Sequence, residues 1–467
     1  MIVMKFGGSS LATGERIGQA ADLALRHLDR SPVVVVSAMG GVTDTLIGIA
    51  QLAVQGRKVL SSVEEHLAAL RQRHVRALTT IGGEQDQTGA QATIATCFHE
   101  LGEICTGIAL LGELSPRSLD AVSAYGEKLS AALMAAALEE RGRHTAAISA
   151  EELLLTDNAH GHARPMMPAS GVRTRARLQP LLEDGVTPVL TGFIGATEDG
   201  ITTTLGRNGS DFSASIFGVL LGAEEVWIWT DVDGILSADP RAVAAAQSLP
   251  VLSYAEAGEL AYFGSKVLHP AAIQPVIEAG IPLRIVNTFN PDHPGTVLVR
   301  EPEDSPHAVK AVTVIRDLAL VTVQGAGLSG MIGAAARVFG AVARANVNVL
   351  MISQASSESN ICFVVNQDQL PQAEVMLRQA LADQLSHHEV VALGARHPVA
   401  IVTVVGSGMA GTPGVAGRLF NSMGAAGINV MAIAQGSTEF SISFVVEDAQ
   451  AACAVAAAHQ EFVEDVS

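Results

Sequence analysis

Across the first 300 residues, short runs of β-branched residues alternate with longer stretches rich in Ala, Leu and Glu. Ile2–Phe6, Val33–Ser37 (VVVVS), Thr187–Thr191 (TPVLT) and Val226–Thr230 (VWIWT) carry few polar positions, as strands do when both faces of a parallel sheet are covered. The segments 60–80, 91–111 and 128–141 between them have helical length and composition. This alternation predicts an α/β domain with helices on both faces of a mainly parallel sheet. Ligands of such sheets bind beyond the carboxyl ends of the strands, so the residues that follow each strand are the informative ones. Asn290–Gly295 and Glu301–Pro306 are rich in Pro and acidic residues and mark a domain boundary.

Beyond that boundary the pattern repeats. Gly325–Asn366 aligns without gaps on Gly406–Glu447 at an offset of 81 residues, with 18 of 42 positions identical. Matched pairs include Arg337/Arg418, Phe339/Phe420, Asn348/Asn429, Gln354/Gln435, Ser356/Ser437 and Glu358/Glu439. Each copy reads strand, helix, strand, strand, helix. The first closes with a further strand near Glu389–Leu393; the second runs out of chain before one forms. The strand-like segment Val309–Ile315 is the candidate to supply it, which nests the first copy within the second. The expected domains are therefore 1–300, 307–395 and 396–467, with 309–315 completing the last.

Composition narrows the function. The 467 residues exceed what one core usually organises. A net charge of −18 argues against nucleic acid as a partner, while an anionic nucleotide can still be held by local lysines and backbone amides. Cys97, Cys105, Cys362 and Cys453 form no CxxC pair and no metal-ligand spacing, which reads as scattered reduced thiols. The amino terminus lacks the basic and apolar regions of a signal peptide. No apolar run reaches the length of a membrane span, so a cytoplasmic protein is expected.

The loops after the strands carry the candidate chemistry. Lys5-Phe-Gly-Gly-Ser-Ser10 closes the first strand; its glycines admit close approach of an anion, and Lys5 adds a point charge. The lysine precedes the glycines, so this is not the P-loop pattern. Ser37-Ala-Met-Gly-Gly-Val-Thr43 and Gly192-Phe-Ile-Gly195 follow two further strands. Gly206-Arg-Asn-Gly-Ser-Asp211 opens a helix, with Arg207 presenting a fork suited to a carboxylate. Thr230-Asp-Val-Asp-Gly234 leads to Asp239-Pro-Arg241, and Phe263–Pro270 (FGSKVLHP) places Lys266 and His269 near a helix. Taken singly, KFGG is more often an ordinary turn, and GRNGSD is equally a capped helix with a solvated arginine. Together they would converge on one edge of one sheet.

In this order KFGGSS, the SAYGE segment around Glu127, GRNGSD, TDVDG…DPR and FGSKVLHP resemble the aspartate kinases of the amino-acid kinase superfamily, and the downstream repeat resembles their paired ACT domains. The resemblance spans nearly the whole chain. It implies an α/β three-layer kinase sandwich followed by two ACT-like, ferredoxin-type α+β repeats. It also implies phosphorylation of the L-aspartate side-chain carboxylate by ATP and Mg2+, the step that opens the route to lysine, threonine and methionine. By position, Lys5, Gly7, Gly8 and Ser9 would line the phosphate path with Ser37 beside the nucleotide, and Thr230, Asp231, Arg241 and Lys266 would contact ATP. Thr43, Glu127, Phe193, Arg207 and Ser210 would surround aspartate, with Arg207 on a carboxylate and Glu127 on the α-ammonium. Asp211 would orient the catalytic lysine; no side chain is assigned as a direct metal ligand. Leu236 stands where some members carry a tyrosine that packs near the nucleotide, which puts that contact in doubt.

GRNGSD and the segments Met351–Glu358 and Ala432–Glu439 are most similar to the kinase halves of bifunctional aspartate kinase–homoserine dehydrogenases. A single-function enzyme and a part of a longer bifunctional one both remain open. The paired repeats imply an amino-acid effector near Asn348, Gln354, Asn429 and Gln435, threonine before lysine, and a homodimer or homotetramer. Two rival readings are a non-catalytic sensor with a vestigial kinase domain and a superfamily kinase for another substrate. Intact Lys5, Arg207, Asp211 and Lys266 argue against the first, and the tandem module argues against the second.

Overall fold

The computed structural model describes residues 1–82, 87–263, 269–301, 307–325, 332–354, 360–387, 390 and 392–464. They form two compact units that do not divide the chain at a single point. One comprises 1–235, 250–254 and 267–301; the other comprises 236–249, 255–266 and 302–467.

The first unit is built on β1 (Ile2–Phe6), β2 (Pro32–Val36), β3 (Thr145–Ile148), β4 (Thr187–Thr191), β7 (Glu225–Thr230), β8 (Val251–Ser253), β9 (Leu283–Asn287) and β10 (Thr296–Val299). Their order is β3-β4-β2-β1-β7-β9-β10-β8, parallel throughout except where β10 meets β9. A small antiparallel pair, β5 (Ile194–Ala196) and β6 (Thr202–Thr204), stands beside this sheet. The mainly parallel α/β architecture read from the alternation is thus the one observed.

β1 is central and fully buried, and its side chains alternate. Ile2, Met4 and Phe6 join the core formed by the helices Gly14–Leu25, Leu60–Ile81, Thr88–Leu111 and Tyr125–Glu140. Lys5, on the opposite parity, meets the helix Gly209–Leu221. The register sets Phe6 level with both Val36 and Trp229, so the loops after β1, β2 and β7 leave the sheet together.

One expectation needs correcting. The 24-residue helix Thr88–Leu111 is long and apolar enough to cross a membrane by length and composition. Its Ile, Leu, Phe, Cys and Ala residues make it so, although His99, Glu100 and Glu103 interrupt it. Ile94, Phe98, Leu101, Cys105 and Ile108 pack into the core of the first unit. Burial there pushes the Cys97 and Cys105 thiols up to about 11.

The second unit carries a six-stranded antiparallel sheet of β11 (Ala311–Gln324), β12 (Met351–Gln354), β13 (Asn360–Asn366), β14 (Ala392–Val405), β15 (Ala432–Gln435) and β16 (Ser441–Glu447), in the order β12-β13-β11-β14-β16-β15. The bounds of β11 to β13 recur in β14 to β16 at the offset of 81, as do those of the helices Ala334–Arg344 and Val415–Ala425. The repeated aromatics pack alike: Phe339 meets Phe363 with centroids 5.7 Å apart, and Phe420 meets Phe444 at 5.8 Å. Residues 318–324 of β11 pair with β13 and, across the sheet, with the start of β14. Residues 311–315 pair with 401–405 of β14, whose other neighbour is β16. Residues 389 and 391, in the segment read as the closing strand of the first copy, lie outside the described residues; β14 begins at Ala392.

A buried ion pair fastens the helix Tyr254–Tyr262 into this unit. Lys310 Nζ lies 3.0 Å from Glu256 Oε2, and Glu256 Oε1 accepts from the Ser407 amide and hydroxyl at 2.7 and 2.8 Å. Lys310 is 8% exposed and Glu256 wholly buried, so removing one partner strands a charge. Lys310→Met should cost about 3–5 kcal/mol in urea unfolding, and the double change with Glu256→Gln should cost less; equal or larger loss in the double variant would contradict the pairing.

Candidate active site

The loops after β1, β2 and β4 and the start of the helix Gly209–Leu221 enclose a cavity of about 430 Å³. Its wall includes Lys5, Gly8, Ser37, Thr43, Glu127, Phe193, Arg207, Ser210 and Asp211 from the sequence-predicted set. Gly7 and Ser9 flank Gly8 outside the wall, and the Gly7 amide donates to Trp229 O at 3.1 Å. Thr230 and Asp231 extend β7 past the Phe6↔Trp229 register and bond to one another, side chain to side chain, at 3.2 Å. Arg241 belongs to the second unit, where its exposed guanidinium pairs with Asp239 at 2.6 Å and holds that carboxyl below its usual range. Lys266 lies outside the described residues.

Backbone proximity shapes the floor. A Cβ on Gly8 would stand 3.1 Å from Ala38 O, and one on Gly40 would stand 3.1 Å from Gly8 O, so the two loops meet with no room for side chains. Arg73, from the helix Leu60–Ile81, donates to Gly40 O at 2.7 Å and Ala12 O at 3.3 Å and ties these loops together. No motif marked Arg73, because a helix residue that reaches a loop 33 positions away has no local signature. Asp120 was missed likewise: it accepts from the Gly161 amide, from the amide and hydroxyl of Thr204, and pairs with His160 at 2.8 Å.

Phe193 is held at φ +68°, a costly conformation for a bulky residue, of order 1–3 kcal/mol. Its amide donates to Ser213 Oγ at 2.8 Å, and that hydroxyl donates to Gly209 O at 2.9 Å, which locks the turn against the helix. A Cβ on Gly209 would come within 2.6 Å of the Phe193 ring, so the ring seals the first turn. That turn carries Ser210 and Asp211 beside the free amides of a helix N-terminus, a natural anion site.

Lys5 Nζ lies 2.5 Å from Asp211 Oδ1, and both side chains are about nine-tenths buried. The contact is an ion pair without hydrogen-bond alignment at Asp211 Oδ1. Asn208 Nδ2 reaches the other oxygen at 3.4 Å. Arg207 is exposed on the cavity wall. Glu127 is buried; Oε1 accepts from the Ala38 amide at 3.0 Å, and Oε2 has no hydrogen-bond partner among the described residues. Burial pushes its carboxyl up to about 8, against the opposing pull of backbone amides and Lys5.

The residues read as effector contacts lie in the second unit. Gln354 and Gln435 end β12 and β15 with exposed side chains. Those strands start at Met351 and Ala432, so Asn348 and Asn429 stand in the preceding loops. β12 and β15, at opposite ends of the strand order, approach one another where Ser353 Oγ donates to Ile433 O at 3.0 Å.

Residues 1–287 match the amino acid kinase family, and 321–381 and 402–462 each match the ACT domain. Aspartokinase 1, chloroplastic, of Arabidopsis thaliana is 32% identical over 99% of this chain and 80% of its own length. The chain belongs to the aspartokinases of the amino acid kinase family. The bifunctional aspartokinase/homoserine dehydrogenase 1, chloroplastic, of Zea mays is 38% identical over 98% of the chain, which spans 50% of that relative. Among solved structures, E. coli aspartokinase III in complex with lysine and aspartate (T-state) aligns over 99% of both chains at 28% identity and a TM-score of 0.81. The same enzyme with aspartate and ADP (R-state) aligns with a TM-score of 0.78. This family assignment agrees with the resemblance carried by KFGGSS, GRNGSD and the tandem repeat.

The raised Glu127 carboxyl has a thermodynamic consequence. The folded chain holds this proton more tightly than the unfolded chain, so wild-type stability falls as pH rises from the ordinary carboxylate range through about 8. Glu127→Gln removes that loss. Its melting temperature relative to wild type should therefore rise between pH 5.5 and pH 9; a pH-independent difference would contradict the assignment.

Proposed function

We propose that this chain transfers the γ-phosphoryl group of ATP to the side-chain carboxylate of L-aspartate, forming 4-phospho-L-aspartate and so opening the route to lysine, threonine and methionine. The observation that carries this reading is the single cavity that gathers Lys5, Glu127, Arg207, Ser210 and Asp211 from separate segments of the chain. It offers a buried carboxyl for an ammonium, a guanidinium and a helix N-terminus for carboxylates, and a tethered lysine for phosphate. Family membership and the aspartate and ADP complexes of E. coli aspartokinase III support it.

The attacking carboxylate is ionised at neutral pH, so the reaction needs no general base. The protein's task is alignment and neutralisation along a loose, in-line transition state. Lys5 supplies positive charge to the transferring group, and Asp211 holds the ammonium in place without acting as a base. Arg207 and Ser210 orient the acceptor. Mg2+ is expected to be carried mainly by phosphate oxygens and water, with no side chain assigned as its direct ligand. Mg2+ would neutralise charge on the phosphates when bound.

The ACT repeats support feedback by an amino acid. Threonine is the favoured effector, on the resemblance to the bifunctional enzymes, with lysine, which E. coli aspartokinase III was solved with, as rival. Association through the repeats into a homodimer or homotetramer, in the cytoplasm, completes the proposal.

Four measurements test it. ATP turnover across an amino-acid panel, with hydroxylamine trapping of the acyl phosphate, should give hydroxamate with aspartate; its absence would overturn the reaction. Lys5→Ala should lower kcat by about 10²-fold or more in a folded protein, whereas Arg207→Ala should chiefly raise KM for aspartate; a change in KM for ATP alone would misplace the pocket. Millimolar threonine should inhibit more than lysine, with Gln435→Ala weakening that inhibition at unchanged uninhibited kcat. Calorimetry that detects lysine and no threonine would replace the effector.

A further inference from the structure

Glu127 is buried in an unusual way for a residue that lines an open cavity. It lies in the first turn of the helix Tyr125–Glu140, a turn whose first three residues are all buried. One oxygen accepts a single backbone hydrogen bond, from Ala38, and Oε2 is shielded from solvent with no hydrogen-bond partner among the described residues. A carboxylate so placed would carry its charge almost uncompensated, at a cost of several kcal/mol by the usual penalty for a buried ion, which is why such groups take up a proton.

The surrounding charges do not relieve this. From β1, Lys5 acts on Glu127, yet its ammonium is drawn 2.5 Å from Asp211. Asp44, from the helix Val42–Ala53, and Asp211, from the helix Gly209–Leu221, line the same cavity and add negative charge; Arg207, from the turn before the latter helix, is exposed. On the same helix as Glu127, Lys128 is committed to Glu151 at 2.9 Å and the Tyr125 hydroxyl donates to Glu100 at 2.8 Å. Burial is accordingly the largest influence on the group and leaves it at about 8 before substrate binds.

We infer that Glu127 reads the substrate ammonium by proton exchange: it is a neutral acid in the free enzyme and becomes a carboxylate when an ammonium group in the cavity that Glu127 lines pairs with it. This rests on aspartate as the acceptor. The step balances simply. The protonated Glu127 carboxyl loses its proton to solvent, and the resulting carboxylate forms an ion pair with the substrate ammonium, which keeps all its own protons. No bond in the substrate changes. The exchange sharpens selection for α-amino acids, because a dicarboxylate without the ammonium leaves the acid neutral and gains nothing from it. It also makes aspartate affinity pH-dependent. Below the pH at which the free-enzyme acid ionises, affinity should rise about tenfold per pH unit, then level off above it.

The test is calorimetric titration of the full chain with L-aspartate in buffers of different ionisation enthalpy, at pH 7 and pH 9, with succinate as the ammonium-free probe. About one proton should be released per aspartate at pH 7 and close to none at pH 9, and succinate should release none at either. In Glu127→Gln the release at pH 7 should vanish, along with the pH dependence of any remaining affinity. Tight aspartate binding at pH 7 without proton release would overturn the inference and leave the substrate assignment standing. Undiminished release in Glu127→Gln would assign the proton to another group and overturn the inference likewise. No aspartate binding at either pH would remove the substrate assignment and this inference together.

Discussion

The ion pair between Lys5 and Asp211 is the constraint on which the site depends. Lys5 sits on the central strand of the sheet, at the one parity of β1 that points away from the larger helical core. A shift of one residue would bury its ammonium among Met4 and Phe6 neighbours and place an apolar side chain in the cavity. The parallel register carries the constraint outward, since Phe6 is level with Val36 and Trp229 and the flanking loops must leave the sheet beside it. Asp211 then fixes the helix that supplies Ser210 and the anion-binding amides. A buried ion pair is weak evidence of stability, and its value here lies in pre-setting a lysine. The proposed phosphoryl transfer to an already ionised acceptor asks for that kind of pre-set charge.

Much of this was legible in the sequence because it is local. The β-branched runs, the Gly-containing loops after them and the 81-residue repeat each write their structure into neighbouring residues. What sequence could not show is long-range. Arg73 and Asp120 sit in ordinary-looking helices and matter only through loops that tertiary folding brings to them. Glu127 was assigned through family resemblance, but its neutral state follows from complete burial with one hydrogen bond, which no spacing encodes. The expected boundary near residue 300 followed a local run of Pro and acid. The segments 236–249 and 255–266 nevertheless cluster with the later residues through contacts such as Ser237 with His459 and Lys310 with Glu256.

The second unit shows how duplication and sharing combine. β11 and β14 are equivalent strands at the repeat offset, and each is long enough to serve both copies. Residues 311–315 contribute to the sheet beside β14 although they precede the first copy in the chain. Neither copy therefore has a sheet independent of the other, and a change in one has a direct path to its counterpart through a continuous backbone. Such a shared sheet suits a sensor in which occupancy must bias a structural equilibrium.

The claim that Asp211 acts by holding Lys5, with no base in the reaction, is tested most directly by a double-mutant cycle on kcat at saturating substrates. If the claim holds, Asp211→Asn lowers kcat on its own, and Lys5→Ala/Asp211→Asn is no slower than Lys5→Ala alone, because the aspartate has nothing left to position. If the two losses instead multiply in the double variant, Asp211 has a role independent of Lys5, and the account of a base-free site organised by this ion pair is wrong.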